Sequence, residues 1–404
     1  MQNAKLQLKN KNWRKAKLEE VLDLIIDHRG RTPKKLGGAW AKSGIPALSA
    51  KNIKDGQIVN KKDIRYVSKE LYEKWMPEKL EAGDILMTSE APLGELFYLK
   101  EKVDYCLSQR LFALRTNKKI LNSRFLYYYL QSPKGRYELS KRRSGTAAEG
   151  IKQSELRKVE VYFPNSLNEQ KRIAEILSAF DEKIELNNRI NQILEEMTQA
   201  IFKEWFVTPN MMGNINKKWQ ILDAQGVLVF EKGIEPGSRY YSEKRKDGYI
   251  PFYRVRDLDK VTGVDVYIPE EIAQGKTCKE NDVLLSLDAT IGRVKIGCNG
   301  AFSSGIRKVY SKDSFIKNSF IYFWLKTPYV QNTILAYASG TTILHAGQSI
   351  KYLKFPFNRE AIQKIQTKVG PIFKKILQIL KENQKLSALR DLLLPKLMGG
   401  EVRV

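Results

Sequence analysis

Two stretches of the chain alternate apolar and polar residues as they approach a proline. They are RKVEVYFP, residues 157–164, and KYLKFPF, residues 351–357. A period of two is typical of a strand with one buried face, so each stretch predicts a β-strand. A long charged segment with helical periodicity follows each strand. The chain therefore contains two similar strand-to-helix passages.

Both helical segments place apolar residues at the a and d positions of a heptad. The first, residues 168–206, predicts a helix of roughly 60 Å at 1.5 Å per residue. Its seam consists of Ile173, Ile176, Phe180, Asn187, Ile190, Leu194, Met197 and Ile201. The second seam consists of Ile362, Ile365, Val369, Ile372, Ile376, Ile379, Asn383, Leu386 and Leu393. Such sustained spacing favours a coiled-coil-like pair over ordinary core helices, which are the plainer alternative.

Asn187 and Asn383 occupy equivalent a-type positions in the two helical segments. A buried asparagine at such a position lowers stability and fixes the register of a helix pair. We therefore predict that the two helices pack against each other and that these residues set their register. Pro371 lies inside the second pattern, where it predicts either a kink or the true start of that helix.

The globular sequence before each helix is also repeated. FLYYYLQSPKGRYELSKRRSGTA, from Phe125, matches FIYFWLKTPYVQNTILAYASGTT, from Phe320. GDILMTSEAPLG, from Gly83, matches NDVLLSLDATIG, from Asn281. Successive matches in the same order indicate a duplicated unit whose loops differ in length.

These patterns predict an α+β fold with pseudo-twofold symmetry. Each of two tandem globular domains is followed by a long, coiled-coil-like helix. We assign residues 1–165 to the first domain, 166–208 to the central helix, 209–357 to the second domain and 358–404 to the C-terminal helix.

The composition adds a strong positive charge. Among 404 residues, 70 Lys and Arg face 45 Asp and Glu, a formal net charge of +25. Such a surface attracts nucleic-acid phosphates, although an anionic membrane would attract it too. No apolar run approaches the roughly 20 residues that span a bilayer. The basic start has no apolar core behind it, so we expect no signal peptide and a cytoplasmic protein.

The sequence lacks the motifs of common catalytic and metal sites. We find no GxxxxGK[ST] phosphate loop, HExxH or GxSxG, and no Asp/Asn-Pro-Pro-Tyr/Phe segment. Three scattered cysteines and two histidines predict no metal site, and the cysteines are expected to fill cores. Binding is therefore favoured over catalysis. The alternative from another class is a stand-alone DNA-acting enzyme with a cryptic nuclease or methyl-transfer site.

Basic and aromatic clusters lie in segments that look like loops, such as DHRGRTPKK at residues 27–35. Arginine can contact a guanine edge, and Ser or Thr can contact phosphates or bases. In the first unit the candidate DNA-binding residues are Arg29, Arg31, Lys34, Lys35, Arg110, Arg142, Arg143 and Thr146. In the second they are Arg239, Tyr240, Arg254, Arg256, Ser303, Ser304, Arg307, Thr341 and Thr342. The plainer interpretation of any one arginine is a solvated surface charge.

Several motifs together resemble the specificity subunit of type I restriction–modification systems. SGTA and SGTT close the two units, and FPNSLNEQKRIAEIL resembles the family's turn and helix start. AIFKEWFV ends the central helix, and LRDLLLPKLMGGEVRV ends the last one. The second copy departs from the pattern, because NREAIQKIQ stands where NEQKRIAEI would. The resemblance covers nearly the whole chain.

The resemblance implies a non-catalytic scaffold in which each globular unit reads one half of a split double-stranded DNA target. The globular units would be DNA-recognition domains separated by two long, antiparallel, coiled-coil-like helices, and these helices would set the gap between the halves. Catalysis would reside in two modification subunits, adenine methyltransferases that bind S-adenosylmethionine, and restriction subunits that cleave and translocate DNA could join them. This chain itself would bind no cofactor.

A modification subunit needs an apolar docking surface on this chain. The predicted partner-binding residues are Ile201, Phe202, Trp205, Phe206, Leu392, Leu393, Leu394 and Leu397. The plainer alternative is that the terminal leucines only cap the helix pair. A third interpretation of the whole chain, a coiled-coil adaptor that binds proteins, predicts no affinity for DNA.

Overall fold

The computed structural model describes residues 12–145, 149–204, 220–260, 263–340 and 344–404. The chain forms two compact units. Unit 1 comprises Met1–Asp181 and Leu389–Val404, and unit 2 comprises Glu182–Ala388. The end of the last helix therefore belongs with the first globular unit. The four-segment division made from the sequence stays a prediction.

Unit 1 is a mixture of short strands and helices. Its strands are β1 (Trp13–Lys17), β2 (Leu22–Asp27), β3 (Ile45–Leu48), β4 (Ile53–Lys54), β5 (Gln57–Ile58), β6 (Arg65–Val67), β7 (Ile85–Thr88), β8 (Leu96–Tyr98), β9 (Cys106–Leu107), β10 (Leu111–Thr116) and β11 (Glu160–Pro164). Its helices are α1 (Leu18–Val21), α2 (Lys69–Trp75), α3 (Ser123–Gln131), α4 (Pro133–Ser140), α5 (Gln153–Arg157) and the start of α6 (Leu167–Phe202).

A four-stranded sheet, in the order β2-β10-β7-β8, is the centre of unit 1. Successive residues of a strand point to opposite faces, and both faces of this sheet are buried. Phe112 and Leu114 join one hydrophobic cluster with α3 and the start of α6. Leu111 and Ala113 join a second cluster with α2 and the three-stranded sheet β6-β3-β9. Burial on both faces explains why β7 and β10 are almost entirely apolar.

Unit 2 contains the corresponding elements. Its strands are β12 (Gln220–Asp223), β13 (Leu228–Lys232), β14 (Tyr249–Tyr253), β15 (Tyr267–Pro269), β16 (Thr277–Cys278), β17 (Val283–Ser286), β18 (Val294–Lys295), β19 (Gly300–Phe302), β20 (Ile306–Ser311) and β21 (Lys354–Phe357). Its helices are α7 (Ala224–Val227), α8 (Asn318–Leu325), α9 (Pro328–Ala336) and most of α10 (Arg359–Met398).

The two units share one topology. The central sheet of unit 2 runs β13-β20-β17-β18, which repeats the order in unit 1 element by element. The strands predicted before each long helix are β11 and β21, and they pair with β1 and β12 in two-stranded sheets. One difference is a fourth strand, β16, in the second small sheet of unit 2. The predicted duplication and α+β class are therefore confirmed.

A buried glutamine anchors the start of each long helix to its own unit. Gln170 accepts a hydrogen bond from the backbone N–H of Asn122 (2.7 Å) and donates to the carbonyl of Pro164 (2.8 Å). In unit 2, Gln366 accepts from the backbone N–H of Lys317 (2.6 Å) and donates to the carbonyl of Phe315 (3.1 Å). The divergent sequence NREAIQKIQ thus keeps the residue that makes this anchor.

The helices α6 and α10 contact each other through the predicted asparagine pair. In unit 2, the Nδ2 atom of Asn187 donates to Oδ1 of Asn383 at 2.8 Å, and Asn383 donates to Asn188 at 2.9 Å. Both Asn187 and Asn383 are buried. Removing either partner would leave a buried amide without its hydrogen bond, which is costly. Their role in setting the register stays a prediction.

The heptad assignment is wrong at one position of α6. Met197 is 54% exposed, whereas Thr198 is fully buried and donates from Oγ1 to the carbonyl of Leu194 at 2.7 Å. This half of α6 packs against the core of unit 2 as well as α10, so its buried face is wider than an a-d seam. Pro371 does not mark a helix start, since α10 begins at Arg359.

The cysteines agree with the sequence analysis. Cys106, Cys278 and Cys298 are free and buried, and burial raises the pKa of Cys106 to about 12. Among the described residues, none of the helices is both long and apolar enough to cross a membrane.

Candidate nucleic-acid interface

The loops at one end of the central sheet of unit 1 carry most of its candidate DNA-binding residues. The end of β2 and the end of β7 meet the start of β10 there, since Asp27 pairs with Phe112 and Thr88 pairs with Leu111. We define the unit 1 loop surface as residues 28–37, 89–95, 108–110 and 141–145 with 149–151.

Hydrogen bonds tie these loops together across long distances in sequence. Arg29 donates from Nη1 to the carbonyl of Ile151 at 3.3 Å. The N–H of Ile151 donates to the carbonyl of Ser89, and the N–H of Ser89 donates to the carbonyl of Arg110, both at 2.9 Å. The fold therefore brings Arg29, Arg110 and the segment after SGTA to one place.

Two of the predicted DNA-binding arginines in unit 1 are only partly exposed and bond to other parts of the protein. Arg29 forms two 2.8 Å hydrogen bonds with the carboxylate of Asp27, and its guanidinium lies 4.1 Å from the ring centroid of Phe112. Arg31 donates to the carbonyl of Trp75 beside the buried ring of His28. Burial lowers the pKa of His28, and the charge of Arg31 lowers it further. These contacts favour a structural role for both arginines.

The other candidates on the unit 1 loop surface differ in how far they are exposed. The side chains of Arg110 and Arg143 are about half exposed and form ion pairs with Glu90 and Glu149. Arg142 is less exposed and lies 3.6 Å from Glu155. Lys34 and Lys35 lie on an exposed turn, and Lys35 donates to the carbonyl of Gly30 at 2.8 Å. Thr146 lies outside the described residues.

Unit 2 builds the same kind of surface at the same end of its sheet. Here β13 ends at Lys232 opposite Arg307, and β17 ends at Ser286 opposite Ile306. We define the unit 2 loop surface as residues 233–241, 254–257, 287–292, 303–307 and 339–340 with 344–346. Backbone hydrogen bonds join these loops, among them Ser304 N–H to the carbonyl of Ile234 at 2.7 Å.

Several candidates in unit 2 are likewise buried or bonded to neighbouring residues, and others are exposed. Arg254 is mostly buried and bonds Asp257 at 3.0 Å, and Arg307 donates to the carbonyl of Ser304 at 2.6 Å. Burial lowers the pKa of Arg307. Ser303 is buried, and Ser304 donates to Glu235 at 2.8 Å.

Two cations of the unit 2 loop surface are exposed. Arg256 has two thirds of its side chain accessible. Arg239 lies over the ring of Tyr240 at 4.7 Å and donates to its hydroxyl at 3.0 Å. Thr341 and Thr342 lie outside the described residues.

Sequence reasoning missed three ionisable side chains on the loop surfaces. Glu90 lies 2.9 Å from Arg110, and Asp288 lies 2.7 Å from His345. Both acids occupy the same position of the repeated motifs TSEAPLG and SLDATIG, which is the signal that could have found them. Within the described part of the chain, no group of three His, Cys, Asp or Glu side chains could hold a metal ion.

The predicted partner-binding residues need correction. Phe202 is buried in the core of unit 2, and Leu397 is buried in the core of unit 1, so neither offers its side chain to a partner. Ile201, Leu393 and Leu394 are partly buried and pack against the same cores. Leu392 is 56% exposed. Trp205 and Phe206 lie outside the described residues.

A family model described as the type I restriction modification DNA specificity domain matches this chain twice, at residues 10–196 and 216–389. The chain belongs to this family. Its two matches cover the two units and confirm the resemblance drawn from the motifs. The family is one of DNA recognition rather than catalysis, so the chain has a DNA sequence-specificity role in a type I restriction–modification system.

Relatives of the family align along nearly the whole chain. The type I restriction enzyme MjaIX specificity subunit of Methanocaldococcus jannaschii is 26% identical and covers 98% of this chain and 94% of its own. The HindI specificity subunit of Haemophilus influenzae is 24% identical and covers 86% and 90%. The crystal structure of a type I restriction–modification S subunit from M. genitalium has a TM-score of 0.54 at 18% identity, covers 97% of each chain and supports the fold.

An arginine that bonds to other parts of the protein should contribute more to the free energy of unfolding than an exposed arginine. Replacing Arg29 removes its bonds to Asp27 and Ile151 and leaves a carboxylate without its partner, so we expect Arg29→Ala to lower the free energy of unfolding by about 2 kcal/mol. Arg143→Ala should change it by less than about 0.5 kcal/mol, because that side chain is exposed. Urea denaturation of both variants measures the difference. Equal stability of the two variants would refute a structural role for Arg29.

Proposed function

We propose that this chain reads a split double-stranded DNA target, with the unit 1 loop surface contacting one half and the unit 2 loop surface contacting the other. The observation that carries the proposal is that one topology presents basic loops at the same sheet end in both units. Two reading surfaces of similar construction but different side chains suit two half-sites of different sequence.

The chemistry of the loop surfaces supports contact with DNA. Exposed arginines that pair with carboxylates, such as Arg143 with Glu149 and Arg256 with Asp265, can exchange those partners for phosphates. Exposed ion pairs are weak, so the exchange costs little. With a net charge of +25, the chain also gains from release of counterions when it binds. The exposed candidates on the two loop surfaces are therefore proposed as the residues that contact DNA.

The helices α6 and α10 are proposed to set the gap between the two half-sites. The buried pair of Asn187 and Asn383 supports this role, because a buried polar contact between helices penalises other registers. A gap set by packed helices would make half-site spacing a geometric property of this chain.

The chain is further proposed to bind two modification subunits, which would carry the adenine methyltransferase activity and the S-adenosylmethionine, and to admit restriction subunits. Exposed apolar residues support two docking sites. Ile193 and Met197 lie one turn apart on the part of α6 in unit 2, and Leu389 and Leu392 lie about one turn apart on the part of α10 in unit 1. Since DNA is the target, we propose a cytoplasmic location.

DNA binding by the assembled complex tests the reading role. Each of Arg143→Ala and Arg256→Ala should weaken binding and reduce the slope of log affinity against log salt by about one. Fluorescence anisotropy of a labelled target duplex over a salt series measures both quantities. The matched controls are Lys15→Ala and Lys354→Ala, which remove an ion-paired lysine from the two-stranded sheet of each unit. Loss of affinity as large in the controls would contradict the placement of the reading surfaces, whereas no salt-dependent binding at all would favour the protein adaptor.

A substitution at Leu392, an exposed leucine of α10, tests the docking surface. Leu392→Lys should reduce binding of a modification subunit about tenfold or more, because it places a charge in an apolar contact. Leu335→Lys, an equally exposed leucine on α9, serves as the control. Mass measurement of the purified complex by light scattering gives the number of bound subunits. A full complement of subunits on the Leu392→Lys chain would remove this residue from the interface.

A further inference from the structure

Each loop surface carries a carboxylate that DNA phosphates would repel. Glu90 and Asp288 both lie two residues after a strand of the central sheet, β7 in unit 1 and β17 in unit 2. Their side chains are partly exposed, at 34% and 28%. On a chain with a net charge of +25, an acid at the same place in both DNA-facing surfaces requires an explanation.

The loop that presents the acid is built in the same way in both units. In unit 1, Thr88 Oγ1 donates to the carbonyl of Pro92 at 2.6 Å and accepts from the N–H of Glu95 at 2.8 Å. In unit 2, Ser286 Oγ donates to the carbonyl of Thr290 at 2.6 Å and accepts from the N–H of Arg293 at 2.9 Å. A strand-end hydroxyl therefore fixes the loop around each acid.

The backbone of each acid is also fixed against the segment that follows the SGT motif. Glu90 forms an antiparallel bridge with Gly150, and Asp288 forms one with His345. Gly150 exchanges backbone hydrogen bonds of 2.9 and 3.0 Å with Ser144, and His345 exchanges bonds of 3.0 and 2.7 Å with Ser339. Both acids are thus held at equivalent, well-defined positions.

The nitrogen-bearing side chain beside the acid is what differs between the units. In unit 1, Oε1 of Glu90 lies 2.9 Å from Nε of Arg110, which precedes β10. In unit 2, Oδ1 of Asp288 lies 2.7 Å from Nδ1 of His345, which comes from a different loop. Arg110 and His345 are about half exposed or more. One carboxylate position is therefore combined with two different donors.

DNA offers a carboxylate few favourable partners. Phosphate and deoxyribose oxygens only accept hydrogen bonds, whereas the donors in the major groove are the amino groups of cytosine N4 and adenine N6. We propose that Glu90 and Asp288 are specificity-determining residues, and that each accepts a hydrogen bond from a base amino group in its own half of the target. Arg110 and His345 position the two carboxylates. This inference rests on the proposed function.

The test is the sequence motif that the intact complex methylates in cells. Glu90→Gln and Asp288→Asn keep the side-chain shape but add an amide donor, which can also pair with base carbonyls. We expect each variant to lower the preference for cytosine or adenine at one position by about tenfold or more. Glu90→Gln should affect one half of the motif and Asp288→Asn the other, as read from a genome-wide map of methylated adenines.

Charge-matched controls isolate the effect of position. Glu19→Gln in unit 1 and Asp223→Asn in unit 2 remove acids that pair with lysines away from the loop surfaces, and both should leave the motif unchanged. If Glu90→Gln or Asp288→Asn abolishes methylation, the same experiment is repeated with Glu90→Asp or Asp288→Glu. These keep the charge and move the carboxylate by one methylene, and the same change of preference is expected.

The outcomes distinguish this inference from the function on which it rests. A split motif that keeps its base preferences in both variants and their replacements would overturn the role of the carboxylates while leaving the reading role intact. A wild-type complex that methylates no split motif would refute the proposed function, and the carboxylate assignment with it.

Discussion

Burial of both faces of the central sheet is the constraint from which the rest of each unit follows. In unit 1, alternate residues of β10 join two separate hydrophobic clusters, so most of both sheet faces is covered by apolar packing. The charged side chains of the loop surface, such as Arg110 and Glu90, therefore lie beyond the strand ends. Unit 2 obeys the same constraint, with Leu284 and Leu285 buried on opposite faces. A rigid, two-sided core thus supports a surface whose side chains can vary without disturbing the fold.

Local patterns explain what the sequence could predict. The strands β11 and β21 follow from period-two alternation, and the long helices follow from the heptads. Asn187 and Asn383 could be paired because duplication placed them at equivalent positions of two similar helices. In these cases the signal lies within a few turns of one element, or in the comparison of two copies.

Long-range packing explains what the sequence could not predict. Arg29 and Arg143 look alike as sequence, and only the fold shows that Arg29 reaches Phe112 and Ile151 while Arg143 is open. Met197 was expected in the buried seam but is exposed, and Phe202 was expected on a docking surface but is buried. Both differ because a heptad does not show which side of a helix meets a globular core. The acids of the loop surfaces were missed because a lone carboxylate in a highly charged chain carries no signal of its own.

We propose that two copies of one fold read the two halves of one DNA target. A genome-wide map of methylated adenines, made with the gene intact, deleted and restored, tests it most directly. We expect a motif of two short defined halves around an unspecified gap, which disappears on deletion and returns on restoration. Unchanged methylation in the deleted strain, with the modification subunit still expressed, would contradict it.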